Sequence, residues 1–485
     1  MILNNNFLSR FYSVALLLCV SMVSFALLAL TGCSTMAPKY TQPVAPVPAV
    51  WPADSAVTEA SAKNDTPLAD IPWQDFFVDQ KLQKLIDLAL KNNRDLKIAA
   101  LNIERSRALY QIQRNDLLPK VDASAAATFL RTPEDLTSSG KAITTEQYSI
   151  GLGITSYELD LFGRVRSLKD QALEQYLATE HAQRSSQISL VSQVAAAYLT
   201  LAADKEHLKL ARETLANQKE AYKLVKSRFD AGVSTALALN QAQTTIDSAR
   251  VDIARYATLT GQDENALALV VGSQIPAELL TDLLSEKLAA LKDVAPGLSS
   301  DVLLKRPDIL QAESQLKAAN ANIGAAEAAF FPRITLVSNI GFGSDELAGL
   351  FKGGSFAWKF APQITLPIFD GGSNRANLRV SEVDRDIAIA RYEKAIQTAF
   401  REVADALAQL ATIDEQVSAQ KSLTEVTDET LRLSQARFDK GVDSYLQVLD
   451  AQRSLYGSQQ NLISARLTRL VNMVTLYKSL GGGSK

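Results

Sequence analysis

The sequence predicts a mainly α-helical chain with a smaller β portion, built twice from one plan. Three observations predict it: two long stretches free of Gly and Pro, paired stretches in which apolar residues alternate, and a phrase that is repeated. RFDKGVDSYLQVLDAQ at 437–452 restates RFDAGVSTALALNQAQ at 228–243. A length of 485 residues would by itself suggest about three globular domains, but the placing of the breakers contradicts that reading.

Residues 164–231 contain neither Gly nor Pro, and as one helix at about 1.5 Å per residue they would run roughly 100 Å. Residues 373–440 are equally free of breakers, and Gly163, Gly232, Gly372 and Gly441 bound the two runs alike. In the first run Val194, Ala197, Leu201, Leu208, Ala211, Leu215, Tyr222, Val225 and Phe229 fall on steps of three and four, with polar Asp204 and Gln218 in the gaps. That is coiled-coil spacing. Ala376, Val380, Val383, Ile387 and Ala390 keep the rhythm in the second run, and Val403, Leu407, Leu410 and Val417 extend it.

Shorter helical stretches flank each run, at 81–118 and 234–269 in the first half and at 301–331 and 443–480 in the second. The stretch from Asn92 aligns with the stretch from Lys305, pairing Asp95 with Asp308 and Pro119 with Pro332. The duplication therefore spans nearly the whole chain after its leader.

After each of those prolines the period changes to two. Val121, Ala123, Ala125, Ala127 and Phe129 alternate with polar residues, as do Tyr148, Ile150, Leu152 and Ile154. The second half shows Ile334, Leu336, Ile340 and Phe342, then Phe356, Trp358, Phe360, Ile364, Leu366 and Ile368. Segments of about ten residues with one apolar face fit membrane β-strands. A soluble antiparallel hairpin alternates in the same way. Four strands cannot close a barrel, and an open edge is not tolerated in lipid. Either the hairpins are soluble or several chains share one barrel.

The N-terminus reads as an export signal, with Arg10 ahead of an apolar stretch at 14–30. A transmembrane anchor is also apolar, although about 17 residues is marginal for a span. The stretch ends in LTGC at 30–33, which resembles the lipobox of bacterial lipoproteins, and Ser34 rather than Asp after the cysteine resembles sorting to the outer membrane. Cys19 lies within the leader, so the mature chain keeps Cys33 alone, as a lipid attachment point, with no internal disulfide.

Five motifs then carry a resemblance over almost the whole mature chain: PWQDFF at 72–77, LKRPDI at 304–309, AAFFPRITL at 328–336, LPIFDGGSNRA at 366–376 and GVDSYLQVLDAQRSLY at 441–456. Together with the lipobox they resemble the TolC-like outer-membrane efflux factors, in the lipoprotein, OprM-like branch. The resemblance implies a homotrimer in which each protomer gives four strands to a twelve-stranded transmembrane β-barrel and long coiled-coil helices to a periplasmic α-barrel. It implies a signal peptide at 1–32, a lipidated segment and equatorial belt at 33–80, a first repeat at 81–272, an equatorial linker at 273–300, a second repeat at 301–480 and a tail at 481–485. Loops 131–145 and 344–354 would face outside, and the turns at Gly232 and Gly441 would form the periplasmic tip. The implied partners are a periplasmic adaptor, an inner-membrane RND-type transporter and outer-membrane lipid.

Residue chemistry supplies no enzyme. His181 and His207 sit within a long helix as solvated or packed side chains, and there is no Walker-type phosphate loop. Four methionines, two histidines and no thiol cluster give no metal site. FDGG at 369–372 reads as a turn from strand to helix. A net charge of −3 gives no nucleic-acid signal. The expected cofactor list is empty apart from the covalent lipid on Cys33. Functional residues are instead expected where the halves differ at the tip: Leu237, Gln241 and Thr244 become Leu446, Asp450 and Arg453, while Arg228 and Arg437 match. A solvated helix face would also be polar. The resemblance places Leu446, Asp450, Arg453 and Arg437 at a periplasmic gate, with Phe229, Gly232, Val233, Phe438, Gly441 and Val442 as adaptor contacts. A passive exit duct of a tripartite efflux pump, carrying drugs or other toxic small compounds, is the first expectation. A non-conducting coiled-coil lipoprotein scaffold is the second.

Overall fold

The computed structural model describes residues 35–49, 51, 71–281, 283–284 and 300–482. Cys33, the leader, and parts of the expected belt, linker and tail lie outside the described residues. The first half runs α1 (Gln80–Asn92), α2 (Arg94–Asn115), β1 (Asp122–Thr132), β2 (Ile143–Leu159), α3 (Arg164–Asp230) and α4 (Ala236–Val271). The second half answers with a 3-10 turn (Ser300–Lys305), α5 (Pro307–Ala328), β3 (Arg333–Ser344), β4 (Phe356–Thr365), α6 (Ser373–Asp439) and α7 (Tyr445–Ser479). The two long helices have 67 residues each, so the duplicated spacing is kept to the residue.

Both stretches expected as single helices, 81–118 and 301–331, are broken, and at equivalent positions. Asn93 is extended between α1 and α2, where its Oδ1 accepts from the Leu96 N–H at 2.9 Å and its Nδ2 donates to the Val270 carbonyl at 2.8 Å. An Asn at an N-cap competes with helix continuation for the same backbone groups. In the second half Arg306 stands at the break and Pro307 opens α5, where a missing N–H costs nothing. The buried Arg306 guanidinium is held by Asp308 at 3.0 and 2.7 Å, Glu402 at 3.1 Å and the Ser479 carbonyl. The helical period persists through both breaks, which is why periodicity did not reveal them.

Among the described residues, contacts divide the chain into two compact units, and each draws on both repeats: one holds those within 35–43, 103–178 and 312–392, the other those within 44–102, 179–311 and 393–482. The first unit contains a four-stranded antiparallel sheet in the order β1-β2-β3-β4, in which β2 and β3 join the two repeats. Its register sorts the side chains by face. Ala123, Leu152, Ile340 and Trp358 share one row, and Ala125, Ile150, Phe342 and Phe356 share the next row on the same face. The rows that alternate with them, Asp122–Gly153–Asn339–Lys359 and Ser124–Gly151–Gly341–Ala357, lie on the opposite face. One face is thus apolar and aromatic, and the other polar and glycine-rich. Most strand residues are solvent-exposed on both faces, and among the described residues β1 and β4 are free edges. Gly341 permits a backbone approach to Ile150 that no Cβ would fit.

Below the sheet, Glu158 is held by Arg164 at 2.8 and 2.7 Å and by Arg333 at 2.7 Å. Asp160 caps the start of α3 by accepting from the Val165 and Arg166 N–H groups, and Asp370 does the same for α6 through Gly372 and Asn374. Gly371 and Gly372 have φ of 65° and 88°, which makes the FDGG turn a strand-to-helix corner as expected. In the same unit an N-terminal strap runs along α5: Asn320 donates to the Pro38 carbonyl at 2.7 Å and Tyr40 to Glu313 at 3.2 Å. Gly324 lies so close to Ala37 that a side chain there would collide with the strap.

In the second unit the PWQDFF motif is core. Phe76 stacks on Tyr477 at 4.1 Å, Phe77 meets the same ring edge-on, and the Tyr477 hydroxyl donates to the Ile71 carbonyl at 2.7 Å. His207 is packed, its ring stacked on Tyr256 at 4.8 Å with nearly parallel planes, and burial lowers its pKa. The first helical stripe is packed through Val194, Leu201, Ala211, Gln218 and Val225. The second is not where the heptad reading put its first half. Val380, Val383 and Ile387 are exposed, the first by 58%, while Ser381, Ala388, Tyr392, Ile396, Ala399 and Val403 form the buried stripe. The helix has two apolar faces there, and spacing alone cannot say which one the chain itself covers.

Candidate functional site

The two interhelical turns are built alike. In each, the long helix ends in a glycine with positive φ, 74° at Gly232 and 73° at Gly441. The Val233 N–H reaches the Arg228 carbonyl and the Gly232 N–H the Phe229 carbonyl, both at 2.9 Å; Val442 to Arg437 at 3.0 Å and Gly441 to Phe438 at 2.9 Å repeat the pair. This is the six-to-one and five-to-two pattern of a Schellman ending, which satisfies the last carbonyls and needs a left-handed residue. The turns pack through a shared cluster of Val225, Ala242, Phe438, Tyr445, Val448 and Leu449.

Side-chain chemistry separates them. Arg437 grips Asp443 with two hydrogen bonds, Nε to Oδ2 at 2.6 Å and a terminal nitrogen to Oδ1 at 3.0 Å. The guanidinium holds the Asp443 carboxyl below its ordinary range, and the carboxylate raises Arg437 in turn. Ser234 occupies the equivalent place in the first turn, so Arg228 has no such acid; it lies over the Phe438 ring instead, 4.2 Å from its centroid.

Leu446, Asp450 and Arg453 share one exposed stripe of α7, at steps of four and three, while Tyr445, Val448 and Leu449 face the core. Arg453 stands 3.8 Å from Asp450, an open ion pair on the surface. Of the four expected gate residues the structure therefore brings three together, and places Arg437 across the turn on Asp443. Phe229, Val233 and Val442 are exposed, as an adaptor surface requires. Phe438 is not: at 6% exposure it is tip core, because Arg228 and Tyr445 cover it. Reading RFD twice as equivalent hid this difference.

Two tip features lay outside the sequence reading. Asp443 was available from the comparison of halves, as the acid that replaces Ser234 beside a matched arginine. The hydrogen bond from the Tyr456 hydroxyl to Asp252 at 2.9 Å, which ties α7 to α4, has no counterpart in spacing or composition.

This arrangement of long duplicated helices, four two-faced strands and a polar tip is matched elsewhere. The profile described as outer membrane efflux protein matches residues 85–273 and 298–482. The toluene efflux pump outer membrane protein TtgC of Pseudomonas putida is 48% identical over 467 residues, 96% of each chain. Outer membrane protein OprJ of Pseudomonas aeruginosa is 44% identical over 462 residues, 95% of each chain. Among solved structures, the open state of the Neisseria gonorrhoeae MtrE outer membrane channel aligns with a TM-score of 0.84 at 40% identity, covering 93% of this chain and 99% of that one.

Proposed function

The chain belongs to the outer membrane efflux protein family and is an outer-membrane channel of an efflux pump; on that premise we propose that it works as a homotrimeric passive duct whose periplasmic tip is both gate and docking point. The observation that carries this is the sheet. An apolar face backed by a polar one fits a wall between lipid and water, and two free edges must be closed before such a wall can enter a bilayer. Three copies of four strands close it as a twelve-stranded barrel. A soluble scaffold would cover the apolar face of such a sheet, and here that face is exposed through Leu152, Ile340, Phe356 and Trp358.

A periplasmic adaptor docks on Phe229, Gly232, Val233, Gly441 and Val442, and an RND-type inner-membrane transporter supplies the energy. Three copies of Leu446 around the axis form an apolar constriction, and three copies of Asp450 one turn away concentrate negative charge, partly offset by Arg453. The resting duct conducts poorly and prefers cations. Its cargo is small, toxic and amphiphilic, in keeping with relatives named for toluene and antibiotics. A lipid on Cys33 adds an anchor.

Unheated gel electrophoresis of detergent-extracted protein, followed by planar-bilayer recording, tests the reading: a trimer band and cation-preferring channels are expected, and monomers without conductance would sink it. Cys33→Ala should abolish lipid labelling and leave the precursor uncleaved or cut elsewhere; normal labelling would refute the anchor.

A further inference from the structure

The residues just outside the sheet on its two free edges are apolar and exposed, and they lie at the same end. Before β1 stand Leu118 and Val121, and after β4 stand Leu366, Ile368 and Phe369, the last two exposed by 94% and 92%. Because β1 and β4 run in opposite directions across the sheet, the start of one and the end of the other both lie at the end where the long helices begin.

Strand length and face parity restrict how one copy's β4 can pair with the next copy's β1. Apolar-face residues must meet apolar-face residues, since a shift by one would turn half of the barrel wall inside out. Among the registers that obey this, the one that pairs both strands along their whole length sets Asp122 of the next copy opposite Thr365. Ala123 then meets Ile364, and Phe129 meets Trp358 at the far end. Continued one residue past the strands, the same register carries Leu366 to Val121; the chain then bends at Leu118 and at Ile368, so that Leu118, Ile368 and Phe369 lie just beyond that pair.

We propose that Leu366, Ile368 and Phe369 form a clasp on Leu118 and Val121 of the next copy, and that this clasp sets the register of the seam between copies. The inference rests on the trimeric reading above. Its occupant is a second copy because the exposed groups continue a sheet edge that must itself be paired, and because both members of the contact are apolar on the chain as it stands. The edge strands alone give a weakly specified register; an apolar contact beyond their ends removes the freedom to slip by two residues.

Cysteine pairs in the full-length protein test it, with single variants as controls for Cys33. Val121→Cys with Leu366→Cys, and Leu118→Cys with Phe369→Cys, should each give disulfide-linked trimers on non-reducing denaturing gels. The pair shifted by two, Val121→Cys with Ile364→Cys, should give at least tenfold less. Trimers on unheated gels together with shifted-pair crosslinks, or with none, would overturn the clasp and leave the trimer standing. Monomers on unheated gels would overturn both. Phe369→Trp in a background with Trp51, Trp73 and Trp358 each changed to Phe separates a protein neighbour from lipid: its fluorescence should be quenched by brominated acyl chains several-fold less than that of a chain that keeps Trp358 alone, and equal quenching would place Phe369 in the bilayer and overturn the proposal. Ile368→Asp with Phe369→Asp should lower the temperature at which the trimer dissociates, and Leu347→Asp in the opposite loop should not; equal temperatures would count against the clasp.

Discussion

The two tip turns have the same backbone and different partners for the same arginine. In the first turn Arg228 lies on an aromatic ring; in the second Arg437 is clamped to a carboxylate that the first turn lacks. Duplication supplied two copies of a helix ending, and divergence then gave only one of them an acid after the glycine to meet the matched arginine. What this teaches is that the glycine and its hydrogen bonds make the turn, while the residues that follow it make the difference between a corner held by ring packing and one held by an ion pair. The same contrast recurs further along the helices. Asp204 and Asp263 face each other across α3 and α4 in the first half, where burial and the neighbouring carboxyl push Asp263 up to about 6. The equivalent places in the second half hold buried Ile413 and Asn472, whose amide donates to the Ala406 carbonyl at 3.0 Å.

The sharpest way to break the comparison is to strip both stripes. Leu446→Ala with Asp450→Ala should raise single-channel conductance several-fold, abolish cation preference and block by multivalent cations, and sensitise cells to bulky antibiotics. The matched pair Leu237→Ala with Gln241→Ala should do none of this in the same planar-bilayer recordings. Equal effects would mean that the halves share the gate.

The duplicated helix breaks come next. Arg306→Ala strands Asp308 and Glu402 and leaves the Ser479 carbonyl unpaired, a loss of about 2–3 kcal/mol given that both acids remain partly solvated. Asn93→Ala removes a cap worth about 1 kcal/mol. Thermal loss of helical circular dichroism should rank them in that order, and the reverse order would show that the second break is not held by its arginine. At the turns, Gly441→Val and Gly232→Val each force a β-branched residue into a left-handed conformation, at about 1–2 kcal/mol. Adaptor crosslinking should fall in both while trimers persist; unchanged crosslinking would remove this surface from the docking site.

The smallest effect concerns pH. A carboxyl whose folded pKa is raised binds its proton more tightly in the folded chain. Stability from Asp263 is therefore present below the ordinary carboxylate range and is lost as pH rises to about 6. Asp263→Asn, which imitates the second half, should stabilise at neutral pH by about 1 kcal/mol after allowance for solvent screening, and hardly at all at pH 4. A gain that is independent of pH would point to packing instead. Asp443 has the opposite sign: held low by Arg437, it supports the second turn above the ordinary carboxylate range and stops doing so as pH falls through its lowered value.

The long helices and the two-faced strands were legible because a run without breakers and a period of two are local properties of the chain. Both ends of α3 and α6 fall at the bounding glycines, give or take a residue. The kinks at Asn93 and Arg306 were not legible, since what holds them comes from Val270, Glu402 and Ser479, far along the chain. At the tip, Leu446, Asp450 and Arg453 shared a face by spacing alone, but the burial of Phe438 depends on Arg228 reaching across from the other repeat. The stripe through Val380 and Ile387 shows the same limit from another side: its apolar spacing is real, and among the described residues it stays on the exposed side of the helix.

Gly324 sets one further condition on how this molecule is put together. By admitting Ala37 against α5, it pins the N-terminal strap to the helix that feeds β3. From Ala37 to Cys33 the chain has only four steps, a leash of at most about 14 Å. Were Cys33 acylated as proposed, a docked strap would hold the acyl chains within that reach of α5, and a bulky side chain at Gly324, by dislodging the strap, would free lipid and strands to enter the bilayer separately.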